Sequence, residues 1–232
     1  MSFPVERVAL ARTVRLVTTA RLRDPVLRRL AADQATLDAL AEIEGATSGR
    51  LVAQNQGADE IGAREFVAGV PHAHFINAAF AYWLPRELNR FNGPGRGAWY
   101  AALEIETALA EVAFHMTREL ERVGVYEAVV EYSELFASFA GQFVDLRTVA
   151  PPPDCLAPDP AFAYPKGNAV AAEARAAGHN GIIYSSVRRP GGTCVVALRP
   201  SAVQSVAQGD VWRLRWRGTP EPAIEKVAAI PD

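Results

Sequence analysis

Residues 97–124 read GAWYAALEIETALAEVAFHMTRELERVG and predict a short apolar strand followed by the clearest helix of the chain. Gly97 closes the turn-rich run NGPGRG, and an apolar strand is expected at 98–102. The helix is expected at 104–122, with Gly124 ending it, because glycine commonly follows the last helical turn. Its apolar residues recur at helical spacing on one face: Ala108, Leu109, Val112, Ala113, Met116 and Leu120.

The rest of the chain divides into a half rich in helical patterns and a half rich in strand patterns. Because no regular alternation of strand and helix occurs, we expect an α+β fold, a single domain over residues 1–232 with a compact β core flanked by helices. A run with six prolines, 148–165, predicts a loop. Further helices are predicted at 24–30, 36–54 and 168–177, and further strands at 12–18, 125–132, 135–139, 143–146, 181–185, 193–198 and 211–216.

Charge and composition are those of a soluble globular protein. Half of the 232 residues are apolar, and 24 basic residues against 26 acidic ones give a net charge of −2. This balance provides no general attraction to nucleic acid or to an anionic membrane, so any site for an anion must be local. Two cysteines are too few for a disulfide scaffold, and the charged N-terminal sequence does not resemble a secretory signal, so we expect a cytoplasmic protein.

Several common catalytic signatures are absent from the sequence. The run GPGRG lacks the context of a dinucleotide or phosphate-binding loop, and no HExxH, CxxC or GxSxG motif occurs. His72 and His74 have no third ligand at a suitable spacing, so they are interpreted as turn or core histidines. We therefore predict no metal site and give low weight to hydrolysis by a metal or by a serine triad.

One carboxylate lies within the apolar stripe of the predicted helix. Thr107, Glu111 and His115 are spaced four residues apart and so share one face. A carboxylate on an apolar face needs a partner, which is either an arginine at the edge of the helix or a reactive site. Taken singly, other polar residues have equally ordinary interpretations: a surface arginine for Arg90, a core aromatic for Tyr100 and a strand-end hydroxyl for Ser186.

An ordered set of motifs runs through the chain: Arg90-Phe91-Asn92, Gly97 to Ala102, Glu106-Thr107-Ala108, Glu111 and His115. This set resembles the central signature of the RES domain family, which is named for its Arg, Glu and Ser. Further similar segments are Arg15-Leu16-Val17 with Arg21, LAEIEGATSGR at 40–50, INAAF at 76–80, VDLR at 144–147, GIIYSSVR at 181–188 and GGTC at 191–194. The resemblance covers about residues 12–218, with 219–232 as a C-terminal tail.

The resemblance implies a fold similar to that of ADP-ribosyltransferases, with NAD as substrate and no other cofactor. It also implies a role as the toxin of a bacterial toxin–antitoxin pair. Members of the family hydrolyse NAD, cleave it with phosphate, or transfer its ADP-ribose to a protein. The expected partner is a helix-turn-helix antitoxin of the Xre type that blocks the active site, forming an oligomer with the toxin. A non-catalytic domain that binds a nucleotide or a protein is the alternative from another class.

The resemblance also implies roles for individual residues. Arg15 and Arg90 would hold the phosphates, Tyr100 would lie against the nicotinamide, Glu111 would act on the reacting ribose, and Ser186 would contact the nicotinamide or its ribose. Arg21 is an alternative to Arg15, and Ser185 is an alternative to Ser186. Asn89 stands where the family usually has a glycine.

Overall fold

The computed structural model describes residues 3–21, 60–81 and 88–227. Its seven strands are β1 (Val5–Thr18), β2 (Trp99–Ala102), β3 (Glu127–Asp145), β4 (Gly181–Ser185), β5 (Thr193–Ala197), β6 (Val203–Arg217) and β7 (Ala223–Val227). Its α-helices are α1 (Ala73–Ala81), α2 (Ile105–Val123) and α3 (Pro160–Ala176). Short 3-10 turns lie at Thr19–Arg21, Ala63–Glu65, Asp154–Leu156 and Pro200–Ala202.

The strands form one sheet in which five of them close into a ring. The order is β1-β2-β5-β4-β3-β6-β7, and β1 also pairs with β3. All neighbouring pairs are antiparallel except β3 and β4. The pairings therefore lead from β1 through β2, β5, β4 and β3 back to β1, while β6 and β7 extend the sheet from β3. One mixed sheet with separate helices agrees with the predicted α+β class.

Each helix covers a different part of the sheet. Helix α1 packs Ile76 and Phe80 against a cluster that includes Trp99 and Phe143, and α3 packs Ala171 and Ala174 onto β4 and β5. Helix α2 is the one that carries Glu111. Its apolar stripe, including Leu109 and Leu120, contacts buried residues of β1 and β6, among them Leu16, Leu214 and Trp216.

The most clearly predicted helix and the strand before it are confirmed, with boundaries that differ by at most one residue. The helix predicted at 104–122 is α2, Ile105–Val123, and the strand predicted at 98–102 is β2, Trp99–Ala102. Gly124 ends α2 with a left-handed backbone, φ 78°, and its N–H donates to the carbonyl oxygens of Leu120 and Glu121. Glycine takes this conformation at little steric cost, which is why it marks the end of the helix.

Other boundaries differ from the sequence expectation. The three strands predicted between 125 and 146 are one strand, β3, and the last predicted strand begins earlier, at Val203. The predicted proline loop, 148–165, is wrong in its last third, because α3 begins at Pro160. Proline fits the first helical turn, where no N–H donor is required, and the Asp159 side chain accepts a hydrogen bond from the N–H of Ala161. The helices predicted at 24–30 and 36–54 lie outside the described residues.

Candidate functional site

Glu111 and Ser186 meet between α2 and the loop that follows β4. The Ser186 hydroxyl donates a hydrogen bond to Oε1 of Glu111 at 2.8 Å. The same Oγ accepts hydrogen bonds from the backbone N–H groups of Arg188 and Arg189, each at 3.1 Å. Because a hydroxyl has one proton and these two donors occupy its acceptor side, that proton is directed at Glu111. The loop backbone thus orients the serine, and the serine orients the carboxylate.

Cys194 on β5 is a second neighbour of the Glu111 carboxylate. Its Sγ lies 3.7 Å from Oε1 of Glu111. Burial raises the pKa of this thiol, and the negative charge of Glu111 raises it further, so the thiol stays protonated and can donate. Among the described residues, Glu111 forms no ion pair with an arginine or a lysine. Within the described part of the chain, Ser186 and Cys194 are thus the partners of this carboxylate, and none of the arginines there is.

The loop that carries Ser186 is held against the start of α2 by Thr107. The Thr107 hydroxyl donates to Oε2 of Glu104 at 2.8 Å and accepts from Nη1 of Arg189 at 3.3 Å. A Cβ at Gly192 would lie 2.4 Å from Oγ1 of Thr107, which is far inside van der Waals contact. Only glycine therefore lets the loop approach this closely, and the approach sets the position of Ser186 relative to Glu111.

Arg90 is buried, with 7% of its surface exposed, and is held by the segment before α3. Its Nη1 donates to the carbonyl oxygens of Cys155 at 2.6 Å and Ala157 at 3.3 Å. Its guanidinium carbon lies 5.2 Å from the ring centroid of Tyr164, within range of a cation–π contact. A buried arginine that uses only one of its nitrogens in this way retains donors for an anion.

Tyr100 on β2 is bound to the turn that follows Arg90. Its hydroxyl accepts from the N–H of Phe91 at 2.9 Å and donates to Oδ1 of Asn92 at 2.9 Å. Burial raises the pKa of Tyr100, so the phenol stays protonated. The hydroxyl thus positions the Arg90 turn, which leaves the aromatic ring as the part of Tyr100 that can face a ligand.

Arg15 lies on β1 beside β2. Its Nη1 donates to the carbonyl oxygen of Tyr100 at 3.2 Å, and its guanidinium carbon is 5.0 Å from the ring centroid of Trp99. The side chain of its alternative, Arg21, lies outside the described residues. Ser185, the alternative to Ser186, is the exposed last residue of β4. Ser186, rather than Ser185, contacts Glu111.

All five predicted site residues belong to one region of the molecule. The charges of Arg90 and Arg15 both act on Tyr100 and lower its pKa against the larger effect of burial. The neighbouring Tyr184 is influenced by both Glu111 and Arg90, although burial is again the main reason why its pKa is raised. Ser186 is joined to the group through Glu111. The structure therefore brings together residues from β1, β2, α2 and two loops.

Arg188 and Phe114 also belong to this region, and the sequence analysis gave them no role. The guanidinium carbon of Arg188 lies 3.4 Å from the ring centroid of Phe114. Desolvation, followed by the charges of Arg188, Arg118 and Arg90, lowers the pKa of His115. Three guanidinium groups thus disfavour the protonated form of His115, whose side chain is exposed. The position of Arg188, two residues after Ser186, was the available signal.

The described residues contain neither a candidate metal site nor a candidate membrane span. No group of three or more His, Cys, Asp or Glu side chains there could hold a metal ion, and both cysteines are free and buried. No helix in the same part of the chain is long enough and apolar enough to cross a membrane.

A cavity of about 370 Å³ lies at a different place, between β1, β3, β6 and β7. Its lining includes Arg12, Phe136 and Glu134, and Glu134 accepts hydrogen bonds from Nε1 of Trp212 at 2.8 Å and from the N–H of Asp210 at 3.1 Å. None of the five predicted site residues lines this cavity, so the chemistry of Glu111 belongs elsewhere.

Comparison with known proteins identifies the family. A search of curated proteins gave no match. The RES domain family model matches residues 66–217, which is about two thirds of the 232-residue chain and includes Arg90, Tyr100, Glu111 and Ser186. The order of motifs, the arrangement around Glu111 and this match agree, and the chain belongs to the RES domain family.

Proposed function

We propose that this protein cleaves the bond between nicotinamide and ribose in NAD, as a glycohydrolase or a phosphorylase. The observation that carries the proposal is a single carboxylate, Glu111, fixed by Ser186 within a group of arginines. Membership of the RES domain family supports the same reading. It further supports an ADP-ribosyltransferase-like arrangement of the β core.

The reaction needs only one carboxylate. Cleavage of a glycosidic bond passes through an oxocarbenium-like state, and ordinary glycosidases use one carboxyl group as acid and another as base or nucleophile. Nicotinamide leaves from a ring that is already cationic, so no acid is required. Glu111 stabilises the positive charge that develops on the ribose, and an oriented carboxylate in a site with little water does this most effectively.

The remaining residues hold the substrate. Arg15 and Arg90 form charge-assisted hydrogen bonds to the pyrophosphate, which anchors the part of NAD that does not react. The ring of Tyr100 lies against the nicotinamide. Ser186 holds Glu111 and contacts the nicotinamide or its ribose. This explains how a protein with a net charge of −2 binds an anionic substrate.

The test is an analysis of the products that purified protein forms from NAD, with and without phosphate. Free nicotinamide with ADP-ribose indicates hydrolysis, and ADP-ribose 1-phosphate formed only with phosphate indicates phosphorolysis. A third reaction, with labelled NAD and cell extract, detects transfer to a protein by the same pocket. NAD that remains intact in all three reactions contradicts the proposal.

We also propose that this is a cytoplasmic toxin whose partner is a helix-turn-helix antitoxin of the Xre type. A site rich in arginine is a receptor for a carboxylate inserted by the partner, through the bonds that would otherwise hold phosphate. Such antitoxins are commonly dimers, so the complex forms a symmetric multimer. Co-expression with the neighbouring small reading frame tests this, since a stable complex that still binds NAD excludes a blocked site.

A further inference from the structure

Two arginines of the site, Arg90 and Arg188, are held by one short stretch of backbone. Nη1 of Arg90 donates to the carbonyl oxygens of Cys155 and Ala157, and Nη2 of Arg188 donates to the carbonyl oxygen of Pro158 at 2.8 Å. Three carbonyl groups within four residues thus fix two guanidinium groups that are 98 positions apart in the chain. The stretch 155–158 acts as a common support for both side chains.

The two guanidinium groups are close enough to repel. Desolvation is the main reason why the pKa of Arg188 is lowered, and the charge of Arg90 adds to it. Among the described residues, neither arginine forms an ion pair with a carboxylate, although the charge of Glu111 acts on Arg188 from a distance. Holding two like charges together without a direct counter-ion costs free energy. A fold keeps such an arrangement most readily where an anion completes it.

Both arginines retain hydrogen-bond donors after their protein contacts are counted. A guanidinium group has five N–H donors. Carbonyl oxygens engage one nitrogen of each group here, and Tyr164 is a further hydrogen-bond partner of Arg188. Carbonyl oxygens satisfy donors but carry only partial charge, so the positive charge is not neutralised. The faces of the two groups are covered by aromatic rings, Tyr164 for Arg90 and Phe114 for Arg188. The free edges are therefore the binding surface.

We propose that Arg188 is a substrate-binding residue and forms, together with Arg90, a clamp for the diphosphate of the dinucleotide. Two adjacent planar forks match the oxygen atoms of a diphosphate better than one fork does. The assignment rests on the proposed function for the identity of the substrate. The proposal adds Arg188, which lies two residues after Ser186, to the residues whose roles the family resemblance implies.

The chain offers a clean way to remove this guanidinium group. The contact between Arg188 and Ser186 is made by the backbone N–H of Arg188, which a side-chain substitution leaves in place. Arg188→Ala therefore removes the clamp and keeps the turn that orients Ser186. Arg188→Lys keeps the charge but loses the planar fork. Arg217→Ala, an exposed arginine at the end of β6, is the matched control.

The experiment is calorimetric titration with NAD and, separately, with inorganic pyrophosphate, each on a Glu111→Gln background that prevents turnover. We expect Arg188→Ala to weaken the binding of both ligands about tenfold or more, Arg188→Lys to weaken it less, and Arg217→Ala to have no effect. Thermal unfolding of each variant verifies that it is folded. If the Arg188→Ala variant is not folded, the Arg188→Gln variant is titrated instead.

The outcomes separate this inference from the proposed reaction. Unchanged affinity for pyrophosphate in Arg188→Ala overturns the clamp, whether or not NAD binding falls, because the lost contact is then not to the diphosphate. A different outcome is that Arg188→Ala weakens pyrophosphate binding while the wild-type protein does not cleave NAD. This outcome supports the clamp and rejects the proposed reaction.

Discussion

The arginines of the β6–β7 sheet and those around Glu111 are the same residue type in opposite settings. On the sheet, Nη2 of Arg213 lies 2.7 Å from Glu131, and its Nη1 lies 3.1 Å from Glu225. A lysine of the same sheet also forms an ion pair, because Nζ of Lys226 lies 2.6 Å from Asp210. Around Glu111, by contrast, the hydrogen bonds of Arg90 and Arg188 go to uncharged partners, namely carbonyl oxygens and, for Arg188, also Tyr164.

The difference lies in whether the charge of each arginine is neutralised. On the sheet, Arg213 and Lys226 each pair with a carboxylate, so their charges are neutralised within the protein. At the site, carbonyl oxygens fix the positions of Arg90 and Arg188, but no carboxylate of the described residues pairs with their positive charges. The role of an arginine in this protein therefore depends on the partners of its side chain, and substitutions in the two regions can test this contrast.

The largest effect is expected at the single carboxylate of the site. Glu111→Gln keeps the shape of the side chain but removes its charge, so NAD cleavage should fall about a hundredfold to a thousandfold. Steady-state release of nicotinamide measures this. Glu119→Gln is the control, because Glu119 lies on the same helix but pairs with Arg122 on an exposed surface. Turnover by Glu111→Gln at the wild-type rate would show that the arrangement around Glu111 is only structural.

The next largest effect concerns the arginines assigned to the phosphates. Arg15→Ala and Arg90→Ala should each weaken NAD binding by about 1.5–3 kcal/mol, the range for hydrogen bonds to a charged group. Calorimetry on the Glu111→Gln background gives the affinities. If Arg217→Ala weakened binding as much as these two variants, the contrast between the two regions would fail.

A smaller effect is expected for the residue that orients the carboxylate. Ser186→Ala removes the hydrogen bond to Glu111 but leaves its charge, so the rate should fall roughly tenfold, consistent with the loss of about 1.5 kcal/mol. The decrease should appear in kcat more than in KM. A decrease confined to KM would mean that Ser186 serves binding alone.

The smallest effect is expected on the sheet. Arg213→Ala breaks its contacts to Glu131 and Glu225, but exposed ion pairs contribute little to stability and are screened by salt. We expect a slight decrease in the unfolding midpoint that disappears at high salt, with NAD cleavage unchanged. Loss of cleavage in Arg213→Ala would show that the sheet region takes part in function.

The fold was predictable from the sequence where local periodicity determines the structure. Helix α2 and strand β2 follow from the stripe of apolar residues, the preceding turn and Gly124. In place of strand β3 the sequence predicts three strands, because polar residues and Gly141 interrupt the apolar pattern. The strand continues through register shifts near Glu134 and Ala137, and such bulges depend on partner strands that local sequence does not reveal.

The site was predictable as a set of residues but not as a set of contacts. Glu111 and Ser186 are 75 positions apart, and only the ordered motifs associated them. The role of Arg188 depends on the carbonyl oxygen of Pro158, and a backbone acceptor has no signature in the sequence. Likewise, nothing in the spacing of Tyr100 indicates that its hydroxyl is bound to the Arg90 turn.

The ring of strands has a seam between β1 and β2. One pair of opposed residues, Val14 and Ala102, joins these strands, whereas β1 and β3 pair along most of their length. The hydrogen bond from Arg15 to the carbonyl oxygen of Tyr100 adds a side-chain contact between these two strands. A ligand that takes the N–H now bonded to Tyr100 loses this contact, so its net affinity is lower than the strength of the new bond by about 0.5–1.5 kcal/mol, whereas the second N–H of Nη1 can bind a ligand with the contact intact. The arginine that is proposed to bind phosphate therefore also joins the two strands at which the ring closes.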